Sequence, residues 1–465
     1  MTDVSARAIS AIHVRPILRR AAIAAFVVLL PLAAHSVWDY VEIRRLVQEI
    51  EAIRAKGEPV SEREAVGGNQ SIPAKERGAA SYYLAGAMLA LGTNPSRTIT
   101  PIREWLVEPR PSRNELQQLA GPVHELVRNS SDALRLADTA AELPFDGFPA
   151  GTEFSYRTAG ISDLSELITA RTLSLGQSGS ADAAVDSVIS GLQIRRALRD
   201  ARWMTISGHQ IPAVLTLTRP SPRALLRLQT ALEAEDKPER PLEDFLRERA
   251  RYVELIWRSY YGTDPNAPRH YTLPMRSVTE TVMRPWFTHN AVNVLRLWAQ
   301  LVDAAKTEWP EKRRRSADIL ERHRQERQPS QAGGYLNALL NHGVVLGAFS
   351  QAVDATPLIV DRASRVAVAI ERFRRDRNAV PAALPDLVPQ YLREIPVDPY
   401  SGRPLLFRPE RAAYTVYSVG PNQQDDHGDL SSEFERARQQ GWGRRVIRGA
   451  DIGVRILMLN DADPG

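Results

Sequence analysis

The side chains in this sequence that are most clearly suited to a chemical role are aspartates near the C-terminus. Asp425, Asp426 and Asp429 fall within five consecutive residues. Carboxylate oxygens at such close spacing can surround a hard cation. Asx-rich segments are also typical of ordinary turns, in which the side chain bonds the local backbone. The pattern therefore leaves two interpretations open, a metal site and a metal-free acidic loop.

Motifs for other chemistry are missing from the sequence. There is no cysteine, which excludes a disulfide scaffold, a Cys-ligated metal and a thiol nucleophile. The nine histidines stand singly, without the spacing that places two imidazoles on one helix face. No phosphate-binding glycine loop and no GxSxG elbow is present. A triad assembled from distant residues stays open, but an enzyme is the less favoured class.

The composition is that of an ordinary folded protein. The 465 residues are 43% hydrophobic and 25% charged, which excludes a disordered chain. Sixty Lys and Arg residues are interspersed with 55 Asp and Glu residues. Because the cations form no basic stripe, we expect no nucleic-acid partner.

One segment, residues 21–37, is long and uncharged enough to cross a bilayer as a helix. The positive-inside rule assigns residues 1–20 to the cytoplasm as a basic tail, with the rest of the chain outside. The charges that set this orientation are Arg7, Arg15, Arg19 and Arg20 before the segment, and Asp39 and Glu42 after it. We therefore expect a single-pass protein of the bacterial inner membrane with a periplasmic body and the lipid bilayer as a partner.

A cleaved signal peptide is the alternative interpretation of this segment. Pro31 could end its apolar region, and Ala34-His35-Ser36 has the small-x-small form of a cleavage site. The aromatic residues Trp38 and Tyr40 that follow instead favour a retained anchor, because such side chains suit the membrane interface. Both interpretations export the body.

Residues 38–354 predict an irregular stacked α-helical domain. Apolar residues recur at helical spacing, and proline and glycine separate the segments without a fixed repeat. A cluster of aromatic residues in this part predicts either a ligand groove or the closure of a core, and it comprises Trp257, Tyr260, Tyr261, Tyr271, Trp286 and Phe287.

Residues 355–465 predict a small α+β domain. Residues 361–377 read as a helix with an apolar stripe. Two apolar and aromatic runs, 404–408 and 414–419, are joined by a short connection and predict antiparallel strands. Asp398, which precedes a proline, is expected to cap a turn. This pattern of residues therefore predicts a helix packed against a small sheet.

This module resembles the globular head of the major pseudopilin of type II secretion systems. The resemblance covers about the last hundred residues. The sequence motifs that carry the resemblance are Leu-Pro-Asp-Leu-Val-Pro at 384–389, the Ile-Pro-x-Asp-Pro-Tyr stretch from 395, Tyr-Ser-Val-Gly-Pro-Asn at 417–422 and Gly-Ala-Asp-Ile-Gly at 449–453. The chain lacks the prepilin junction, so it is not expected to be a filament subunit. Its whole layout also resembles other membrane-anchored bacterial envelope proteins.

The resemblance implies calcium in the loop after the second strand. Its ligands would be Asn422, Asp425, Asp426, Asp429 and Asp451. Two features depart from the family: Asn422 stands where an aspartate is usual, and the loop is longer.

For function, we expect an extracytoplasmic binding or scaffold protein, with envelope proteins or secretion machinery as partners. The alternative is an enzyme acting on a glycan or peptide in a groove near Trp257 to Phe287.

Overall fold

The computed structural model is mostly helical with one small sheet. It describes residues 4–65, 78–107, 113–143, 154–197, 206–234, 240–260, 278–326, 355–430 and 451–458. The helices in these ranges are α1 (Val4–Ala55), α2 (Glu62–Ala65), α3 (Ala79–Ala90), α4 (Pro95–Val107), α5 (Arg113–Asn129), α6 (Ser131–Ala141), α7 (Phe154–Gln177), α8 (Ala181–Ala197), α9 (Ile206–Leu217), α10 (Pro222–Glu233), α11 (Arg240–Tyr260), α12 (Val278–Ala305), α13 (Glu311–Glu326) and α14 (Thr356–Arg377). The strands are β1 (Leu406–Pro409), β2 (Ala413–Ser418) and β3 (Ile452–Leu457).

The chain divides into two compact units. Unit 1 comprises Met1–Gly67, Leu242–Asp303 and Pro329–Asn341. Unit 2 comprises Gly68–Pro241, Ala304–Gln328 and His342–Gly465. The predicted boundary between residues 354 and 355 adjoins 327–354, which lie outside the described residues, so that boundary stays a prediction.

Unit 1 is built from the second half of α1 together with α11 and α12. Leu46, Ile50 and Ile53 of α1 are buried, at spacings of four and three residues that place them on one helix face. Phe245 of α11 and Trp298 of α12 are also buried, and their rings meet edge to face with centroids 6.1 Å apart. The C-terminal half of α1 is therefore an amphipathic helix of a folded core.

In unit 2, close helix packing begins at α3, whose small residues contact α6 and α7. Ala79, Ala87 and Ala90 of α3 are buried in one core with apolar side chains of both neighbours. A Cβ added at Gly160 of α7 would lie 2.6 Å from the carbonyl oxygen of Ala87. Only glycine therefore permits this approach of the two backbones.

A second core in unit 2 joins helices α8 to α10 with α14 and the sheet. Val185, Leu225 and Ile370 belong to it, together with Tyr414 of β2 and Ile456 of β3. The apolar side chains of a helix must be covered by another layer, and here α14 is covered by helices and strands together.

The sheet has the antiparallel order β1-β2-β3. Leu406 pairs with Tyr417, and Ser418 pairs with Ile452. All six residues of the central strand β2 are buried. The predicted pair of strands is confirmed, whereas β3 was not predicted as a strand.

The coarse prediction of fold class is confirmed: the chain is mainly α-helical, with a small sheet and a long apolar N-terminal helix. The finer prediction, that residues 355–465 have a pseudopilin fold, stays a prediction.

Candidate functional site

The first candidate site is the exposed apolar surface of α1. The helix runs unbroken through Pro31 from Val4 to Ala55. Its described apolar side chains between residues 23 and 37 are exposed, with relative accessibilities such as 63% for Phe26 and 62% for Leu29. The segment from Ala25 onward is long and apolar enough to cross a membrane by length and composition. Apolar side chains that stay exposed along the described part of a helix of this length are typical of a membrane span.

The character of α1 changes at Asp39, where one face becomes buried. Asp39 is 6% exposed and pairs with Arg284 of α12. Arg284 Nε donates to Asp39 Oδ1 at 2.8 Å, and Arg284 Nη2 donates to Oδ2. This two-point contact neutralises the first charge after the apolar run.

A second carboxylate, Glu42, lies one turn further along the same face. It is 2% exposed and accepts a hydrogen bond from Arg45 Nη1 at 2.8 Å. His289 Nδ1 of α12 lies 3.3 Å from Glu42 Oε2. Further along, Arg296 of α12 donates to Glu49 at 2.8 Å. Polar contacts therefore join α1 to α12 over several turns immediately after the apolar segment.

The second candidate site is the acidic loop that follows β2. Tight backbone turns shape it, since Gly420, Gln423, His427 and Gly428 all have positive φ. At Gly428 a Cβ would lie 3.3 Å from the Tyr417 ring. Glycine therefore suits this position both for its φ of 76° and for the space available.

Asp451, which precedes β3, lies at the centre of this loop and is 2% exposed. Its Oδ1 accepts the Asp426 N–H at 3.3 Å, and its Oδ2 accepts the Gly428 N–H at 2.7 Å. The pKa of Asp451 is raised to about 6, chiefly because burial desolvates the carboxylate and also because Asp426 and Asp425 lie near. The two N–H donors oppose this rise.

The other predicted metal ligands are held by hydrogen bonds within the loop. Asn422 Nδ2 donates to Asp426 Oδ2 at 2.9 Å. Asp425 Oδ1 accepts the Tyr417 hydroxyl at 3.0 Å. Asp429 contributes its backbone carbonyl, which accepts the Asp451 N–H at 3.1 Å. The loop is thus closed by its own donors and acceptors.

Two findings bear on whether these residues fit calcium. The negative charges of Asp425 and Asp426 contribute to the raised pKa of Asp451, and a nearby cation would offset them. Within the described ranges, however, no group of three or more His, Cys, Asp or Glu side chains is arranged to hold a metal ion. The loop in this arrangement does not form a ligand cage, and its calcium assignment stays a prediction.

The turn at Asp398 is a structural site that supports the loop. Asp398 is 1% exposed. Its Oδ1 accepts the Tyr400 N–H at 2.9 Å and the Ser418 hydroxyl at 2.6 Å, and its Oδ2 accepts the Ser401 hydroxyl at 2.7 Å. The predicted role of Asp398 as a turn cap is confirmed, and the bond to Ser418 also ties the turn to the end of β2.

The aromatic cluster predicted as a groove or a core is described only in part. The side chains of Trp257, Tyr260, Tyr261 and Tyr271 lie outside the described residues. Trp286 and Phe287 of α12 meet edge to face with ring centroids 5.1 Å apart. The choice between groove and core therefore stays open.

Sequence reasoning missed Arg284 and His289 as partners of α1. They are about 245 residues away along the chain, and neither belongs to a spaced motif. The sequence signal available was the pair of carboxylates Asp39 and Glu42, three residues apart, which share one helix face.

Compared as a whole, the chain matches no protein-family model, no curated protein and no solved structure.

Proposed function

We propose that this protein is a membrane-anchored scaffold or binding protein of the bacterial envelope, retained by α1, with its body on the periplasmic side. The observation that carries the proposal is the contrast within α1. The apolar side chains described between Ile23 and Val37 are exposed, and at Asp39 one face is joined to the rest of unit 1 by a buried ion pair with Arg284. Such a helix joins a bilayer rigidly to a folded body.

The orientation rests on the charges around the span. Arg19 and Arg20 precede it, and arginine near a span favours the cytoplasmic side. The resemblance of the C-terminal module supports secretion machinery or other envelope proteins as partners. No described constellation of side chains favours an enzyme over this assignment.

A fractionation experiment tests the anchor. The variant Val28→Arg/Leu29→Arg places two charges among exposed apolar side chains of α1, where each arginine opposes insertion by about 2.5–3.5 kcal/mol. The matched control, Met88→Arg/Leu89→Arg, alters exposed apolar residues of α3. We expect the native chain and the control to stay in carbonate-washed membranes and the α1 variant to leave them. Release of the native chain would overturn the proposal.

Topology reporters test the side of the membrane. Alkaline phosphatase fused to the C-terminus should be active, because that enzyme matures outside the cytoplasm. A fluorescent protein that matures only in the cytoplasm should stay dark at the same position. The opposite pair of results would reverse the orientation.

Calcium is the ligand proposed for the acidic loop. The hydrogen bond from the Asp426 N–H to buried Asp451, with the charges of Asp425 and Asp426 nearby, supports it. Calcium binding would require the carboxylate oxygens to give up their present N–H and O–H donors. A ligand that binds only the native state must raise the melting temperature. Titration of the full chain with millimolar calcium therefore tests the assignment, with Asp425→Asn/Asp426→Asn as the control. An unchanged melting temperature in the native chain would leave the metal-free loop.

A further inference from the structure

We infer that unit 1 sits in the headgroup layer of the bilayer, with the first turns of α12 at the depth where the span of α1 ends. This inference rests on the proposed membrane anchor and adds a lipid-contacting surface to it. The surface comprises Trp38, Tyr40 and Val41 of α1 and Val282 of α12.

The length of the span fixes where the hydrocarbon ends. The uncharged run 21–37 has 17 residues, which is about 25 Å of helix at 1.5 Å per residue. The hydrocarbon core is about 30 Å thick. The run is therefore about 5 Å shorter, a mismatch that a bilayer accommodates by local thinning. The bilayer boundary lies near Trp38, the first residue after the run, and Arg20 lies at the opposite boundary.

Unit 1 reaches this boundary through α12. His35 Nε2 donates to the carbonyl oxygen of Val282 across 2.9 Å. Since His35 precedes the end of the uncharged run, Val282 lies at the level of the last turn of the span. The second half of α1 therefore does not hold unit 1 away from the membrane.

The exposed side chains at this level suit a membrane interface. Trp38 is 43% exposed, Tyr40 57% and Val282 54%. Aromatic rings with one polar end favour the headgroup level, and the Arg44 guanidinium lies over the Tyr40 ring at 5.2 Å. An exposed arginine at this height can extend toward lipid phosphates.

The charge of Asp39 is compatible with this depth only because Arg284 neutralises it. A lone carboxylate at the edge of hydrocarbon is costly, whereas Asp39 is 6% exposed and bonded through both oxygens. Arg284 thus acts as a positioning residue, which holds the start of α12 beside the span and shields Asp39 from lipid.

Depth-dependent fluorescence quenching tests this surface. The chain has no cysteine, so single substitutions accept a polarity-sensitive NBD label without background. Val282→Cys probes the surface, Leu30→Cys the middle of the span, and Lys56→Cys the end of α1 as a control. The full-length variants are reconstituted in phosphatidylcholine and phosphatidylglycerol vesicles, with nitroxide lipids labelled near the headgroup or near the bilayer centre.

We expect loss of Val282→Cys fluorescence mainly with the shallow nitroxide, loss of Leu30→Cys fluorescence mainly with the deep one, and no loss for Lys56→Cys. If Val282→Cys, like Lys56→Cys, is not quenched while Leu30→Cys is quenched, α1 is still a membrane anchor, but the inferred lipid-contacting surface of unit 1 is wrong. If Leu30→Cys is not quenched, the anchor itself fails, and the inference fails with it. Circular dichroism of each labelled variant verifies that the helical content is unchanged.

Discussion

Arg195 of α8 and Asp361 of α14 form a bidentate ion pair inside unit 2. Nη1 donates to Oδ1 and Nη2 donates to Oδ2, each at 2.9 Å. The two side chains are only 14% and 7% exposed. The pair therefore ties a helix of the predicted helical domain to the helix of the predicted C-terminal module.

Removing one member of this pair should destabilise the protein strongly. Arg195→Met leaves Asp361 buried without its main counter-charge, and breaking a buried pair from one side costs about 3–5 kcal/mol. Arg227→Met is the matched control, because the Arg227–Asp186 pair is 44% and 60% exposed and should contribute at most about 1 kcal/mol. Denaturant unfolding of the full chain in detergent measures the difference. Equal losses for the two variants would contradict the importance of burial.

The sequence predicts α14 well because its pattern is local. The apolar stripe predicted for residues 361–377 includes Val366 and Ile370, and both are buried. The helix ends at Arg377, the last residue of the predicted helix, and Asn378 follows it with a φ of 50°, in the left-handed region. Neither feature reveals Arg195, since that partner lies 166 residues away and its charge has no local signature.

Glycine at position 160 should be required for the contact between α7 and α3. Gly160→Ala would place a Cβ 2.6 Å from the Ala87 carbonyl oxygen, and overpacking of this kind costs about 1–3 kcal/mol. Gly121→Ala in α5 is the control, because its Cβ would meet nothing within 4 Å. The control should gain about 0.4–1 kcal/mol from reduced freedom of the unfolded chain. Thermal melts that rank Gly160→Ala at or above the native chain would contradict this packing.

The hydroxyl of Tyr414 should stabilise the interface between β2 and α14. Tyr414 is fully buried and donates to Glu371 Oε1 at 2.9 Å. Burial raises the pKa of Tyr414 well above its usual value, so the phenol stays a donor.

We expect Tyr414→Phe to lower the free energy of unfolding by about 1–3 kcal/mol, because a buried acceptor loses its partner. The control Tyr82→Phe alters an exposed residue and should change the free energy of unfolding by less than about 0.5 kcal/mol. Chemical denaturation distinguishes the two variants. If Tyr414→Phe leaves the free energy of unfolding unchanged, the Glu371 carboxylate does not need the Tyr414 hydroxyl as a hydrogen-bond donor.

The acidic loop shows where sequence reasoning ends. The proximity of Asp425 to Asp429 along the chain predicted a carboxylate cluster, and the resemblance added Asp451. The pairing of Ser418 with Ile452 brings Asp451 back beside the loop across the intervening segment. No periodicity in the short run from Ile452 to Leu457 discloses that pairing, and burial of the Asp451 carboxylate follows from it. The chemical state of this residue is therefore set by strand register.

Asp451 should give the protein a stability that declines as pH rises. The folded-state pKa is raised to about 6, above the ordinary value of 3.8, because burial disfavours the charged form. A raised carboxyl pKa means that the folded state holds a proton which the unfolded chain has lost. The contribution is therefore complete below the ordinary pKa and disappears as pH rises through about 6.

Comparison of Asp451→Asn with the native chain isolates this effect, because amide substitution removes the titration. Between pH 4 and pH 7, the range that brackets the shift of Asp451, the unfolding free energy of the native chain should fall relative to that of the variant. Asp182→Asn is the control of opposite sign, since hydrogen bonds from Ser221 lower the pKa of Asp182. For Asp182→Asn, the decrease in unfolding free energy should be present above the ordinary pKa of 3.8 and should vanish at lower pH. Parallel pH profiles for the native chain and Asp451→Asn would show that the carboxyl group is hydrated in solution and that the loop is open around it.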